Sequence, residues 1–367
     1  MAIAHDYLTQ RGGAERVVLA MTRAFPDAKV YTTLYEPEGT FPEFRDVEIV
    51  TSPLNRIGPL RRDHRAALPL LPFAAATLRV PADVVLVSTT GWAHGFPTPG
   101  RRLVYCHSPA RWIYLRDEYL GAPWWRSAKG WLLAALLPGQ RAWDRYAARR
   151  AEASGRYLVN STVVQERVRR VYGFRAERLA PPHGVSTEGG LEPIEGLEDF
   201  ADGHFLLVSR LLPYKNVDVA MEAFRGSDER LLVVGHGPLA ERLRAEAPGN
   251  VRLASHLSDA QMRWAYSRAK GLVAPSREDF GLTPLEAAAW GLPVAALRGG
   301  GYLDTVLEDV TGVFFDEVRP EAIREAVGRL TARDWPAGAI REHAAGFAEE
   351  RFAERLRAEV TALWEAA

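Results

Sequence analysis

Residues 271–286 read Gly271-Leu-Val-Ala-Pro-Ser-Arg-Glu-Asp-Phe-Gly-Leu-Thr-Pro-Leu-Glu286. The run Gly271–Ala274 is apolar on both faces, as a central strand of a parallel sheet must be. Behind it the chain turns and enters a helix. Thr283 suits the N-cap, Pro284 the first helical position and Gly291 the C-terminal stop. A helix N-terminus that follows a parallel strand is a ready anion site, because unsatisfied N–H groups and the helix dipole point out of the sheet. A phosphate or pyrophosphate suits such a place. Two carboxylates bracket the turn. Glu286, three residues after Thr283, reads either as the glutamate of a capping box or as a ligand group. Glu278 lies in the loop and reads either as a ligand group or as a solvated carboxylate.

Outward from this stretch the same rhythm repeats: a short apolar run, a loop, an amphipathic helix. That pattern predicts parallel sheets covered by helices. In the first half the predicted strands are Ala82–Ser88, Arg102–Cys106 and Arg156–Asn160. In the second half they are His204–Ser209, Arg230–Gly235, Gly271–Ala274 and Pro293–Leu297. Helical spacing follows Gly12-Gly13 (Val17, Val18, Met21, Ala24, Phe25) and Asn216 (Val217, Ala220, Met221, Phe224). Ser258–Gln261 and Thr162–Gln165 both read as capping boxes. Residues 186–203 are rich in Gly, Glu, Asp and Pro and lack periodicity, so a linker is expected there. The chain of 367 residues thus divides into two α/β units of similar length, and ligands commonly bind in a cleft between such units. A long amphipathic helix is expected near the C-terminus, with its packing partner left open by the spacing.

Composition removes several function classes. The 46 basic and 46 acidic side chains cancel, which argues against a general nucleic-acid binder. One cysteine excludes a disulfide framework and a cysteine-rich zinc site. Met1–Asp6 lacks the charged start and apolar stretch of an export signal. The apolar segment Trp131–Pro138 is far shorter than the roughly 20 residues that span a bilayer. A soluble, cytoplasmic protein is the expectation.

Three further segments carry chemistry. Ser209-Arg-Leu-Leu-Pro-Tyr-Lys-Asn216 places Arg210 and Lys215 between a strand end and a helix start. Two cations at the carboxyl edge of a parallel sheet suit a diphosphate, the arginine as a fork and the lysine as a point charge. Only four lysines occur in the chain, so one in this loop is informative. Arg11-Gly-Gly-Ala-Glu-Arg16 brings two glycines to a strand–helix turn, where a backbone can approach a ligand closely. It is neither the dinucleotide fingerprint nor a Walker loop. Tyr105-Cys-His-Ser-Pro109 sets His107 at a strand's carboxyl end, where an imidazole can hold a proton or donate to a sugar hydroxyl.

These segments, in this order, resemble the retaining glycosyltransferases of family 4 (group 1), which have the GT-B fold. The ordered set is Gly-Gly-Ala-Glu-Arg, His-Ser-Pro, Asn160-Ser161, Ser-Arg-Leu-x-Pro-Tyr-Lys, Val-Gly-x-Gly-Pro and Glu-Asp-Phe-Gly-x-x-Pro-x-Glu. The resemblance covers nearly the whole chain, and within the family it is greatest to bacterial GDP-mannose-dependent mannosyltransferases. It implies an α/β GT-B architecture: two Rossmann-like domains whose parallel sheets face an interdomain cleft. Residues 1–184 would bind the acceptor and residues 185–347 the nucleotide sugar, with a C-terminal helix of about 348–367 that can pack back on the first domain.

The resemblance also implies roles. Arg210 and Lys215 would hold the donor diphosphate and stabilise the leaving nucleotide. The backbone from Asp279 through Phe280, Gly281, Leu282 and Thr283 would bind phosphate and sugar hydroxyls. Glu286 would bind the ribose and Glu278 the donor sugar. Gly12 and Gly13 would let the first loop reach the diphosphate. His107 would lie near the reacting carbon, and His256 and Leu257 would frame the base. The sequence has no D-x-D metal motif, so no metal and no cofactor is expected beside the nucleotide-sugar donor. His236 and Asp304 depart from the family's usual residues at their positions.

The acceptor implied is a glycan or a lipid-linked sugar. Trp112, Tyr114, Trp124, Trp125 and Trp131, among Arg111, Arg116, Arg126 and Lys129, suit an interface helix at lipid head groups or the core of a helical excursion. A peripheral contact with the inner face of the cell membrane follows from the first reading. Monomer and dimer are both compatible with the sequence. The competing functions are a UDP-sugar-dependent transferase acting on a small molecule, a GT-B-like nucleotide-sugar epimerase and a silent binding module. The complete charged set argues against the last.

Overall fold

The computed structural model describes residues 1–115 and 128–366. The chain divides into two compact units, Met1–Pro182 with Glu349–Ala367, and His183–Ala348. Each is built on its own parallel sheet.

The first unit holds β1 (Ala2–His5), β2 (Lys29–Thr32), β3 (Ile49–Thr51), β4 (Val84–Thr89), β5 (Arg101–Cys106), β6 (Gly155–Val159) and β7 (Glu177–Arg178), in the order β3-β2-β1-β4-β5-β6-β7. Every pairing is parallel. Side chains alternate across the sheet, so the unit carries two apolar layers. One layer joins Ile3, Leu86 and Leu103 to Val17, Val18 and Met21 of the helix Gly13–Ala24. The other joins Ala4, Val87 and Val104 to Ala148, Ala151, Val164 and Val168 of the helices Ala128–Ala153 and Thr162–Tyr172.

The C-terminal helix Glu349–Glu365 belongs to the first layer. Phe352, Leu356, Val360 and Leu363 recur at helical spacing and are buried there. Burying each such side chain is worth roughly 1.5–3 kcal/mol. Polar contacts fix the register of the helix. The Arg23 guanidinium donates to Glu349 at 2.6 Å. The nearly buried Glu359 carboxylate accepts from Arg156 at 2.6 Å and pairs with Arg355 at 2.7 Å.

The second unit holds β8 (His204–Val208), β9 (Leu231–Val234), β10 (Val251–Ala254), β11 (Ala269–Ala274), β12 (Val294–Leu297) and β13 (Gly312–Phe315), in the order β10-β9-β8-β11-β12-β13. All pairings are again parallel. Helices Val217–Phe224 and Pro320–Thr331 cover one face, and helices Asp259–Ser267 and Leu282–Ala289 the other.

The seven predicted strands exist, with ends shifted by one or two residues. β7, with two exposed residues, and β10, with exposed Arg252, lack the doubly apolar pattern that reveals a central strand. One of the two expected capping boxes differs from expectation. Ser161, not Thr162, caps its helix by accepting from the Val164 N–H, and Gln165 instead donates to the Ala176 carbonyl. Ser258–Gln261 is the expected capping box.

Both sheets change direction of travel at their first strand. Successive strands run outward one way from β1 and β8, and the chain then returns to build the other side from β4 and β11. In such sheets ligands bind beyond the carboxyl ends of the strands at this switch point. A cavity of about 540 Å³ in the first unit, lined by Arg101, Gly155 and Arg156 among others, opens at the amino ends of β5 and β6. It is therefore on the wrong edge of the sheet for that role. No helix among the described residues is long and apolar enough to cross a membrane.

Candidate active site

In the second unit the loops leaving β8 and β11 meet at the switch point. The Asn216 amide donates to the Pro275 carbonyl at 2.9 Å, tying one loop to the other. Asn216 has φ 55°, a left-handed conformation that asparagine tolerates better than most residues. It ends the turn Pro213–Lys215, which directs the Lys215 side chain inward.

The Lys215 ammonium is buried and donates to Oε1 of Glu278. It also lies 5.1 Å from the centre of the Tyr214 ring. The Ser276 hydroxyl donates to the same Glu278 oxygen at 2.7 Å. Glu278 is thus not a solvated loop carboxylate. It is the counter-ion of the buried lysine. Arg210 is exposed, with its guanidinium donating to the Tyr214 hydroxyl at 3.3 Å. Arg210, Tyr214, Lys215 and Glu278 therefore form one connected group.

The next helix begins earlier than the sequence implies. Gly281 is the N-cap, with φ 94°, and the helix runs Leu282–Ala289. Thr283 is inside it and Glu286 is too far along to complete a capping box. Glu286 is buried and accepts from the Tyr266 hydroxyl at 2.9 Å, so the capping reading of Glu286 falls. The positive φ explains the glycine, and a Cβ there would also lie 2.5 Å from the Tyr302 ring. Asp279 and Phe280 are buried, and the Phe280 ring lies 6.1 Å from that of Phe347. Leu282 and Thr283 are half-buried in the first turn.

Gly301 closes this loop from the far side. Its N–H donates to the Glu278 carbonyl at 2.8 Å, and a Cβ on it would stand 2.3 Å from the Phe280 Cα. Tyr302 then buries its ring beside the loop, with its hydroxyl 3.4 Å from that of Ser276. Burial, and next the Glu278 carboxylate, push the Tyr302 phenol well above its ordinary range. The phenol stays neutral and serves as a hydrogen-bonding wall.

His256 follows β10 with φ 56°. Its ring lies 5.9 Å from that of His236, at an interplanar angle of 22°. Both rings are exposed at the carboxyl edge and Leu257 beside them is half-buried. They line the carboxyl edge of the sheet after β9 and β10.

In the first unit Gly12 is the N-cap of the helix Gly13–Ala24. Arg11 donates to the Thr40 carbonyl and Gln10 to Glu15, each at 3.1 Å. His107 follows β5 and is buried, with its Nε2 2.8 Å from the Ser88 hydroxyl. Asn160 donates to the His107 carbonyl at 3.1 Å. Sequence reasoning missed Asp6, which organises this edge. Its carboxylate accepts the Trp92 and Ala93 N–H groups at 2.6 Å each and the Thr90 hydroxyl at 2.9 Å. The signal was present: His5-Asp6 is a polar pair directly after the apolar Ala2–Ala4.

Of the aromatic and basic residues near 112–131, Trp112 is a core residue and Tyr114 donates to the buried Asp144 at 2.8 Å. Arg116, Trp124, Trp125 and Arg126 lie outside the described residues, as do the side chains of Lys129 and Trp131. Among the described residues no group of three or more His, Cys, Asp or Glu could hold a metal ion.

Residues 11–188 match the family described as Glycosyltransferase Family 4, and residues 199–345 match Glycosyl transferases group 1. D-inositol 3-phosphate glycosyltransferase 1 of Catenulispora acidiphila is 30% identical over 343 residues, 82% of this chain and 78% of that protein. Two further relatives are matched over shorter stretches. Glycogen synthase of Pseudomonas paraeruginosa is 33% identical over 43% of this chain and 32% of its own length. The GDP-mannose-dependent alpha-(1-6)-phosphatidylinositol monomannoside mannosyltransferase of Mycolicibacterium smegmatis is 33% identical over 34% of this chain and 37% of its own length. The match thus spans about a third of these two relatives.

Among solved structures, Anabaena HepE in complex with UDP-glucose superposes with a TM-score of 0.69 at 15% identity, covering 98% of this chain and 99% of that one. Sucrose-phosphate synthase of Thermosynechococcus elongatus gives 0.71 at 17% identity and covers both chains fully. At such identities the likeness establishes the GT-B fold alone. With the near full-length relative and both family matches in hand, the chain belongs to the group 1, family 4 glycosyltransferases.

Proposed function

We propose that the chain is a retaining hexosyltransferase that moves mannose from GDP-mannose to a glycan or lipid-linked acceptor. The observation that carries the reading is the buried Lys215–Glu278 pair, with Arg210 joined to it through Tyr214, at the switch point of the second sheet. The preference for mannose and GDP rests on the His-Ser-Pro and Pro-Tyr-Lys segments and on similarity to the mycobacterial mannosyltransferase.

In this reading Lys215 and Arg210 hold the donor diphosphate. Their charge is fixed before reaction, so stabilising the leaving nucleotide requires no reorganisation. The N–H groups of Leu282 and Thr283 in the first helical turn, with the backbone from Asp279 to Gly281, bind phosphate and sugar hydroxyls. Glu278 faces the donor sugar. Glu286 takes the ribose hydroxyls, its orientation set by Tyr266. His256 and Leu257 frame the base, Gly12 and Gly13 bring backbone to the diphosphate, and His107 lies near the reacting carbon. The C1–O bond to the β-phosphate breaks while the acceptor oxygen attacks the same face. The released phosphate oxygen takes the acceptor's proton, so the reaction asks for cations and N–H groups rather than a strong protein base.

Calorimetric titration of GDP, UDP and ADP into the metal-free protein tests this reading. The expected result is binding of all three no weaker than the millimolar range, with GDP at least about tenfold tighter, a difference of about 1.4 kcal/mol. Tighter UDP or ADP binding keeps the transferase and moves the donor to another nucleotide sugar. Binding of none removes the diphosphate site.

A further inference from the structure

Three neighbouring strands of the first unit present one connected line of polar side chains at their carboxyl ends. His5 ends β1 and lies opposite Ser88 of β4 in register. Ser88 lies opposite Tyr105 of β5, and His107 comes two residues later, on the same face of the sheet. The three side chains are 1%, 0% and 8% exposed for His5, Ser88 and His107. Nδ1 of His5 is 3.1 Å from the Ser88 carbonyl oxygen and 3.1 Å from its hydroxyl. The Ser88 hydroxyl is 2.8 Å from Nε2 of His107.

The donors in this line can be assigned. A carbonyl oxygen only accepts, so the proton of His5 is on Nδ1 and is shared between the Ser88 carbonyl and hydroxyl oxygens. The hydroxyl oxygen then accepts from His5, which leaves its own hydrogen for His107. Ser88 therefore donates to Nε2, and the neutral His107 ring carries its proton on Nδ1. The His107 ring is further fixed edge-on to Tyr105, with centroids 5.1 Å apart. Its backbone is held by its N–H donating to the Thr89 carbonyl at 2.9 Å and by Asn160.

We infer that Ser88 is a positioning residue for the transfer reaction: backed by His5, it sets His107 to the Nδ1–H tautomer, so that His107 serves its substrate as a hydrogen-bond donor and not as a base. The inference rests on the reading that places His107 at the reacting sugar. It explains why two buried polar side chains occupy an otherwise apolar layer, where unpaired they would each be costly. Ser88 itself touches no substrate and acts only through the imidazole.

Two measurements on the full chain test it. The first needs no substrate. In protein carrying 15N-labelled histidine, His107 is identified as the signal lost in His107→Gln. Its Nε2 should be pyridine-like and its Nδ1 pyrrole-like, and Ser88→Ala should shift the population towards Nε2–H. A ring already in the Nε2–H form, or one unmoved by Ser88→Ala, overturns the inference. The second is a double-mutant cycle on release of nucleoside diphosphate from GDP-mannose, or from the nucleotide sugar that the calorimetry selects. Ser88→Ala should lower kcat about tenfold or more with little change in KM, and should cost nothing further in the His107→Gln background. An equal loss in both backgrounds makes Ser88 structural only and overturns the inference. A silent His107→Gln instead overturns the placement of His107 at the sugar, an outcome the spectrum distinguishes because the Ser88–His107 bond would still be seen.

Discussion

Lys215 carries one charge, and in the folded chain Glu278 already holds it. The pair has two duties that mutation can separate. Removing the lysine leaves the Glu278 carboxylate, whose side chain is only 22% exposed, with the Ser276 hydroxyl and without its cation. Leaving such a group short of a partner costs about 1–3 kcal/mol, the lower end being apt where solvent reaches it. Lys215→Ala should therefore lower thermal stability slightly and turnover by about a hundredfold or more. Lys215→Ala with Glu278→Gln should recover the stability and none of the turnover. Recovery of both would mean that the lysine does no more than neutralise the glutamate. At this scale the sequence exposed the chemistry and hid the partners. A loop lysine in an arginine-rich chain was legible, but Glu278 lies 63 residues away. Glu286 was ambiguous for a similar reason. Its partner Tyr266 is 20 residues earlier, on another helix, and spacing within one helix says nothing of it.

Helices and strands were read from two signals, and they failed where the signals competed. Most strands with both faces buried were legible, because a doubly covered parallel strand is apolar at nearly every position, but β1 and β13, buried along their whole length, were not among those predicted. The start of the Leu282–Ala289 helix was misread because Thr-Pro mimics an N-cap and first turn, while a glycine in the left-handed region opens the helix two residues earlier. The C-terminal helix shows the complementary limit. Its apolar stripe fixed that it must be buried, and only the structure shows against what. Leu356 sits at the centre of that stripe and is fully buried against the first sheet's layer. Leu356→Ala should destabilise the chain by about 2–5 kcal/mol, read by chemical denaturation. Arg355→Ala, which removes a half-exposed partner of Glu359, should cost less than about 1 kcal/mol because Arg156 still holds that carboxylate. A reversed order would mean that the ion pairs, not the apolar stripe, anchor the helix.

The whole chain joins two sheets of like strand order, each with its own apolar layers on both faces. Two units were legible in the repeated rhythm, but the aperiodic stretch 186–203 expected to link them belongs to the second unit, where Ile194, Leu197 and Phe200 are buried. The division falls at Pro182–His183, and the last helix returns to the first unit. Chains with separate cores need not unfold as one cooperative step. A ligand that binds only the folded form stabilises it by RT ln(1 + [L]/Kd), about 2.7 kcal/mol at a hundredfold excess over Kd. That stabilisation must appear where the ligand's contacts are. Hydrogen exchange of the full chain with GDP at saturating concentration should therefore slow most in the loops 209–216, 276–281 and 299–302 and in the helix Leu282–Ala289. The edge strands β3 and β7, at the two ends of the first sheet, should exchange as before. Protection spread evenly through the sheets of both units would place the nucleotide elsewhere. Protection strongest in the loops after β8 and β11 would tie the affinity to the Lys215–Glu278 site, because Arg210, Lys215 and Glu278 lie on those two loops.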